Sequence, residues 1–220
     1  MNWEENFVQR LSEFRFEDVF NPYADRCEVY DLEDAPAIRR QNLAAVLRAR
    51  HAQQIEYIWF GRDLGYRGGR RTGLALTDEI TMLNATRNAA AEIRRATSGE
   101  VVAERTAAVI WSVVGRLAHP PLLWNAFPLH PHQRNKPFTN RAHTSREREK
   151  TAWAIQSLIE RFDNPRLIAI GRDASQALQT LGLKHELVRH PSYGGQREFV
   201  TSMERIHVLA PAVDPPGRLI

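Results

Sequence analysis

The sequence predicts an α/β fold: a three-layer α/β/α sandwich around a mostly parallel central sheet of about four strands. Two observations carry this. Short apolar runs of strand length alternate with helical patterns from residue 36 onward, the signature of a parallel sheet with helices on both faces. Three of those runs also end in unusual chemistry: Asp63 after the first, Asn125 within or just after the second, His190 after the fourth. In parallel sheets, ligands bind beyond the carboxyl ends of the strands, so the fold alone brings these three residues to one crevice.

Each element has its own reason. Trp3, Phe7, Leu11 and Phe14 share one helical face within residues 3–20, which Asn21-Pro22 ends. Residues 22–34 read as loop. Ala35 to Arg50 reads as a helix, with Asp34 as N-cap and Pro36 in the first turn. Ile55 to Phe60 is an apolar and aromatic strand. Residues 78–100 are polar and weakly helical. Ala103 to His119 carries a wide apolar face of Val109, Ile110, Val113, Val114 and Leu117, and Pro120-Pro121 stops it. Leu122 to Phe127 is a second strand with one amide in it. Pro128 to His143 reads as a long loop. Thr144 or Ser145 caps a helix to about Phe162, with Glu147 in its first turn. Leu167 to Ile170 is the third strand. Ala174 to Leu181 is a helix closed by Gly182, with Asp173 in a capping role. Leu187-Val188 is the fourth strand, and Gln196 to Val208 the last helix. The 220 residues read as a single domain, with 1–34 an N-terminal extension and 209–220 a loose tail.

Composition bounds the function. Hydrophobic content of 43% and charge of 25% are ordinary globular values. No apolar run reaches the ~18 residues of a membrane span, so no membrane partner is expected. Met-Asn-Trp-Glu-Glu lacks the features of a signal peptide, which points to a cytoplasmic, bacterial-type location. Cys27 is the single cysteine, which rules out a disulfide framework or a cysteine metal cluster within one chain. The net charge of +4 is uneven: residues 1–40 hold ten acids against five basic residues, a balance of −5, so the other 180 carry +9. A basic body is compatible with a polyanion partner.

The stretch after the first strand gathers Asp63 with Gly65, Gly68, Gly69 and Gly73 and with Arg67, Arg70 and Arg71. Glycines let backbone approach a ligand, and arginines offer phosphate-binding forks. Asp63 is either a turn residue paired with an arginine or a catalytic acid. Asn125 is either an amide satisfied by nearby backbone or one that faces a ligand. His190 is either a packing histidine or a site residue, and Ser192, before two glycines and a helix, offers a hydroxyl and backbone N–H groups to a phosphate. His130-Pro131-His132 lacks a third ligand at a familiar zinc spacing, so no metal is expected. The phosphate-loop, nucleophile-elbow and dinucleotide-binding signatures are missing.

Together these residues resemble the uracil-DNA glycosylase superfamily over 55–205. Gly61-Arg62-Asp63-Leu64-Gly65 is similar to its first motif, Gly-x-Asp/Asn/Ala-Pro-Tyr/Gly/Ser. His190-Pro191-Ser192 matches its second, and Leu122-Leu123-Trp124-Asn125-Ala126 resembles its base-reading strand. The resemblance implies a monofunctional DNA glycosylase without cofactor. It would flip uracil, or another deaminated or 5-modified base, out of DNA and cleave its N-glycosidic bond. Asp63 would position water, His190 would bond uracil O2, and Asn125 would pair with N3–H and O4. Gly61, Gly65, Tyr66, Leu76 and Phe127 would line the base site, with Leu76, Phe127 or Tyr66 in place of a stacking phenylalanine. Arg67, Gly68, Gly69, Arg70, Arg71, Ser192, Gly194 and Arg197 would hold DNA, with Tyr193 as wedge. A monomer is expected. Leu64 replaces the usual proline. Gly65 replaces the tyrosine that blocks a thymine methyl in the strictest members, which predicts tolerance of 5-substituted bases. The iron–sulfur branch is excluded by the cysteine count. A damaged-DNA binding protein of the same fold with little turnover, and a small-molecule nucleoside enzyme, are the alternatives.

Overall fold

In a computed structural model, residues 2–82 and 93–210 are described. Four parallel strands form the central sheet in the order β3 (Leu122–Asn125), β2 (Tyr57–Gly61), β5 (Arg166–Ile170), β6 (Glu186–Val188). Side chains alternate between its faces, and both faces are buried. Ile58, Phe60, Leu122, Trp124, Leu167 and Ala169 pack on one side with α1 (Trp3–Ser12), α2 (Ala35–Ala52), α5 (Ser145–Arg161) and α6 (Arg172–Thr180). Tyr57, Trp59, Ile168, Ile170 and Val188 pack on the other with α4 (Arg105–Val114) and α7 (Gln196–Ile206). The expected three layers and four strands are present.

The differences have physical causes. Residues 2–34 are not peripheral: Phe7, Val8 and Leu11 on α1 enter the main core, so this segment completes a layer. α1 stops at Ser12, and Val19–Phe20 (β1) pairs antiparallel with His130–Pro131 (β4) inside the segment read as a loop. Two-residue strands leave no periodicity to read. α2 starts as expected, but Asp34 makes no side-chain cap bond; its carboxylate accepts from Arg94 instead, at 3.2 Å. Gly171, not Asp173, is the N-cap of α6. Thr144 and Glu147 form a reciprocal capping box at α5. Residues 83–92 of the weakly helical stretch read at 78–100, and the tail beyond residue 210, lie outside the described residues.

β4 is tied to the glycine-arginine loop, which carries the short helix α3 (Gly69–Thr72), through His130. Arg70 Nη1 donates to its Nδ1 at 3.1 Å, and its Nε2 donates to Thr139 O at 3.0 Å. Burial first, then Arg70, pushes the His130 pKa down to about 3. Burial also lowers His190 and His207. The unfolded chain takes up these protons near pH 6.5, whereas the fold refuses them until lower pH. Stability is therefore expected to be fully present above pH ~6.5 and to fall as pH drops from there toward ~3. Melting temperature against pH checks this; His130→Gln should show a shallower slope.

Candidate active site

β2 lies between β3 and β5, and the chain leaves β2 toward one edge and β5 toward the other. That is a topological switch point, where open α/β sheets bind ligands. A cleft of about 1100 Å³ opens there, lined by Arg62, Asp63, Leu64, Gly65, Leu76 and His190 among others.

Asp63 follows directly on β2. Its Oδ2 accepts from Arg62 Nε at 2.5 Å, and its Oδ1 is bonded to His143 Nδ1. The Asp63 and His143 side chains are each only 5% exposed. Arg62 also donates from Nη1 to Asp173 Oδ2 at 2.9 Å. Gly61-Arg62-Asp63 and Gly171-Arg172-Asp173 therefore stand side by side, at the ends of adjacent strands, and their aspartates share the Arg62 guanidinium. Asp63 is thus both arginine-paired and cleft-lining. His143 is a site residue that sequence reading missed: it lies 80 residues from Asp63, in an irregular segment.

Asn125 ends β3 opposite Gly61 in the parallel register. It is 1% exposed, and among the described residues neither Oδ1 nor Nδ2 finds a hydrogen-bond partner. The satisfied-amide reading is corrected: this amide is an orphan, a state that costs roughly 1–3 kcal/mol. A Cβ on Gly61 would come 2.4 Å from Asn125 Oδ1 and 2.7 Å from Leu76 Cδ2. Only glycine allows the amide and Leu76 to meet there. Leu76 itself has a left-handed φ of 53°, uncommon for a bulky residue. Asn125→Leu keeps the branching and removes the orphan atoms. It is expected to raise the melting temperature by roughly 2–4 °C, as a thermal melt would show.

His190 follows β6. The Ser192 backbone N–H donates to its Nδ1 at 3.2 Å, so Nδ1 is the acceptor and the Ser192 hydroxyl, 2.7 Å away, donates there too. That assigns the ring proton to Nε2. Burial first, then the Arg62 charge, lowers the His190 pKa, so the imidazole is neutral at pH 7. Ser192 thereby spends its hydroxyl proton on orienting His190. Tyr193 is 98% exposed with φ 50°, and Gly194 has φ 78°. Arg197 is exposed in the first turn of α7.

The basic loop differs most from expectation. Arg67 is exposed, but Arg70 and Arg71 are only 3% and 7% exposed. Arg70 Nε donates to the Tyr30 hydroxyl at 2.8 Å, and its guanidinium lies 3.6 Å from the Phe20 ring centre. Arg71 Nε donates to Glu79 at 3.0 Å, and its guanidinium lies 4.1 Å from the Tyr30 ring centre. Both face inward, so the reading of Arg70 and Arg71 as phosphate forks is corrected. Gly68 and Gly69 are buried as well: a Cβ on Gly68 would come 2.1 Å from Glu104 Oε2, and one on Gly69 2.4 Å from Leu64 Cδ2.

Glu104 also sits over Gly65, with Oε1 3.1 Å from where a Cβ would stand. The space expected to be empty at Gly65 holds a carboxyl. Burial first, then Asp78, raises its pKa. Tyr66 is half-buried, and its N–H donates to Asn140 Oδ1 at 3.0 Å. Phe127 is fully buried behind the cleft, its ring 5.6 Å from that of His143; it supports His143 and is not positioned to stack on a base. Leu76 lines the wall, together with Leu64, Ile170, Leu187 and Val188. His130, occupied by Arg70 and Thr139, is not open to a metal, and among the described residues no group of three or more His, Cys, Asp or Glu is arranged to hold one. Among the described residues, no helix is long and apolar enough to cross a membrane.

No family model matches the chain, and no curated protein sequence does. Among solved structures, the crystal structure of wild-type Pedobacter heparinus SMUG2 aligns with 94% of this chain and 98% of its own, at TM-score 0.60 and 13% identity. At this identity the likeness shows a shared fold.

Proposed function

We propose that the chain is a DNA glycosylase that flips uracil or a related base from DNA and hydrolyses its N-glycosidic bond, leaving an abasic site. One observation carries the reading: the orphan amide of Asn125, buried at the strand end opposite Gly61, two residues before Asp63. A buried donor and acceptor without partners are kept at a cost in stability, and a pyrimidine edge presenting N3–H and O4 satisfies both. The shared fold supports the same reading.

Each residue then has a task. Asp63 holds the attacking water against C1′ and takes its proton as the C–O bond forms. His143 and Arg62 fix the carboxylate in place. The bond to the base breaks with its electron pair, and negative charge gathers on the base. His190 Nε2–H donates to the base oxygen as that charge develops. The base reaches Asn125 only when Leu76 moves, and its left-handed φ makes the resting position costly to keep. Of the arginines expected to hold DNA, the exposed Arg67 and Arg197 are the ones left to meet phosphates.

Glu104 alters the expected breadth. A base carrying a 5-substituent meets a carboxyl over Gly65 rather than open space. The test is a panel of oligonucleotides containing uracil, hypoxanthine, xanthine or 5-substituted uracils, in single and double strands, scored by alkali-labile cleavage. Wild type is expected to release uracil, and Glu104→Ala to raise release of 5-methyluracil relative to uracil roughly tenfold or more. Binding of lesion DNA without release of any base would overturn the assignment and favour a damaged-DNA binding protein.

A further inference from the structure

We propose that Phe138 is a second base-binding site: a platform on which an unpaired nucleobase flanking the one in the cleft stacks. This rests on the glycosylase reading above. The argument starts from the two buried arginines. Arg70 lies on Phe20, bonds the Tyr30 hydroxyl and His130, and has its guanidinium 5.4 Å from the Phe138 ring centre. The Tyr30 ring is 6.1 Å from that of Phe138, and Arg71 lies over Tyr30. Aromatic and cationic planes thus form a pedestal beneath a ring that is itself 40% exposed.

The backbone around Phe138 is pinned. Thr139 O accepts from His130, Thr139 N–H donates to Lys136 O at 3.2 Å, and the Thr139 hydroxyl accepts from Gln133 N–H at 3.0 Å. A ring held this firmly loses little freedom when a ligand covers it. Two residues on, Asn140 lines the cleft. Two residues of chain span at most about 7 Å, so Phe138 stands at the cleft margin.

Charge identifies the occupant. Residues 105–146 contain no Asp or Glu. Arg134 and Lys136 are exposed on the same loop as Phe138, and Arg67 is exposed next to Tyr66, whose N–H holds Asn140. Exposed cations alternating with an exposed aromatic ring are what a single nucleic-acid strand requires: phosphates meet the cations and a base face meets the ring. A paired base has both faces covered by its stacked neighbours, so the platform takes an unpaired one.

The test is fluorescence anisotropy of the full chain with a short labelled oligodeoxythymidine, alone and paired with its complement. Phe138→Ala is expected to weaken single-strand binding about tenfold and duplex binding by less than about twofold. Phe138→Trp should bind the single strand at least as tightly as wild type, and thermal melts should match for all three proteins. Equal losses on both forms, no loss on the single strand, or no binding by wild type would overturn the platform. Binding does not require base release, so the two readings fail separately. Absence of release with Phe138-dependent binding sinks only the glycosylase reading. Intact release with Phe138-independent binding sinks only the platform.

Discussion

Asp63→Ala is expected to slow base release by about 10²–10⁴-fold while leaving the affinity for uracil-containing DNA within a few-fold of wild type. The argument is geometric. Both carboxylate oxygens are engaged, Oδ2 by Arg62 and Oδ1 by His143, and the side chain is almost fully enclosed. Such a carboxylate cannot rotate away from the position it is given. Loss of rate with binding retained marks an interaction made in the transition state. His143 supplies a companion experiment. His143→Phe keeps the ring that packs against Phe127 but removes the bond to Asp63, whereas His143→Asn carries an amide N–H near the position of Nδ1. Asn should therefore keep more of kcat than Phe, at similar KM. Single-turnover release of uracil measures all of these, and an Asp63→Ala protein that works at the wild-type rate would remove Asp63 from the mechanism.

His190→Ala is expected to cost about 10²–10³-fold in kcat, the loss typical of one missing donor to a developing anion. Ser192 fixes the tautomer that leaves Nε2–H as the donor. Burial and Arg62 together keep the ring neutral, so in the proposed mechanism it stabilises the departing base by donating a hydrogen bond rather than by carrying a full charge. Ser192→Ala removes one of the two bonds to Nδ1 and keeps the backbone one. Its effect should be smaller, near tenfold or below, because the assigned tautomer survives. Release rates for the two variants, measured side by side at saturating DNA, check the order. A Ser192→Ala loss as large as that of His190→Ala would place Ser192 itself on the reacting atoms.

The fold was legible because β2 and β5 are buried on both faces and read as short continuous runs: Ile58 to Phe60 and Leu167 to Ile170 have no other plausible place. The ends of those strands are fixed by the fold, so Asp63, Asn125 and His190 were legible with them. What escaped depends on partners distant in sequence. Nothing near His143 announces Asp63. Arg70 and Arg71 look like surface cations in a glycine-rich loop, and only Phe20, Tyr30, Glu79 and His130, supplied from other segments, turn them inward. Glu104 reads as an ordinary residue of the helix expected over Ala103 to His119, and its carboxyl matters because the chain brings it over two glycines. Asp173 was read as a local cap, whereas Arg62, 111 residues away, claims it.

The strand order carries a further consequence, for how the protein folds. β2 cannot pair on either side until chain far downstream arrives: β3 completes one edge, and β5, joined across Arg62 and Asp173, completes the other. Parallel pairings of this kind close long loops before any contact rewards them, and they slow folding. His190 enters later in the chain still, after β6. Asp63, Asn125 and His190 thus come together only once the sheet is whole. A nascent chain still short of residue 190 holds Asp63 and Asn125, the proposed water-positioning acid and reading amide, but lacks the proposed donor His190, so it is expected to be silent toward DNA chemistry until its core has closed.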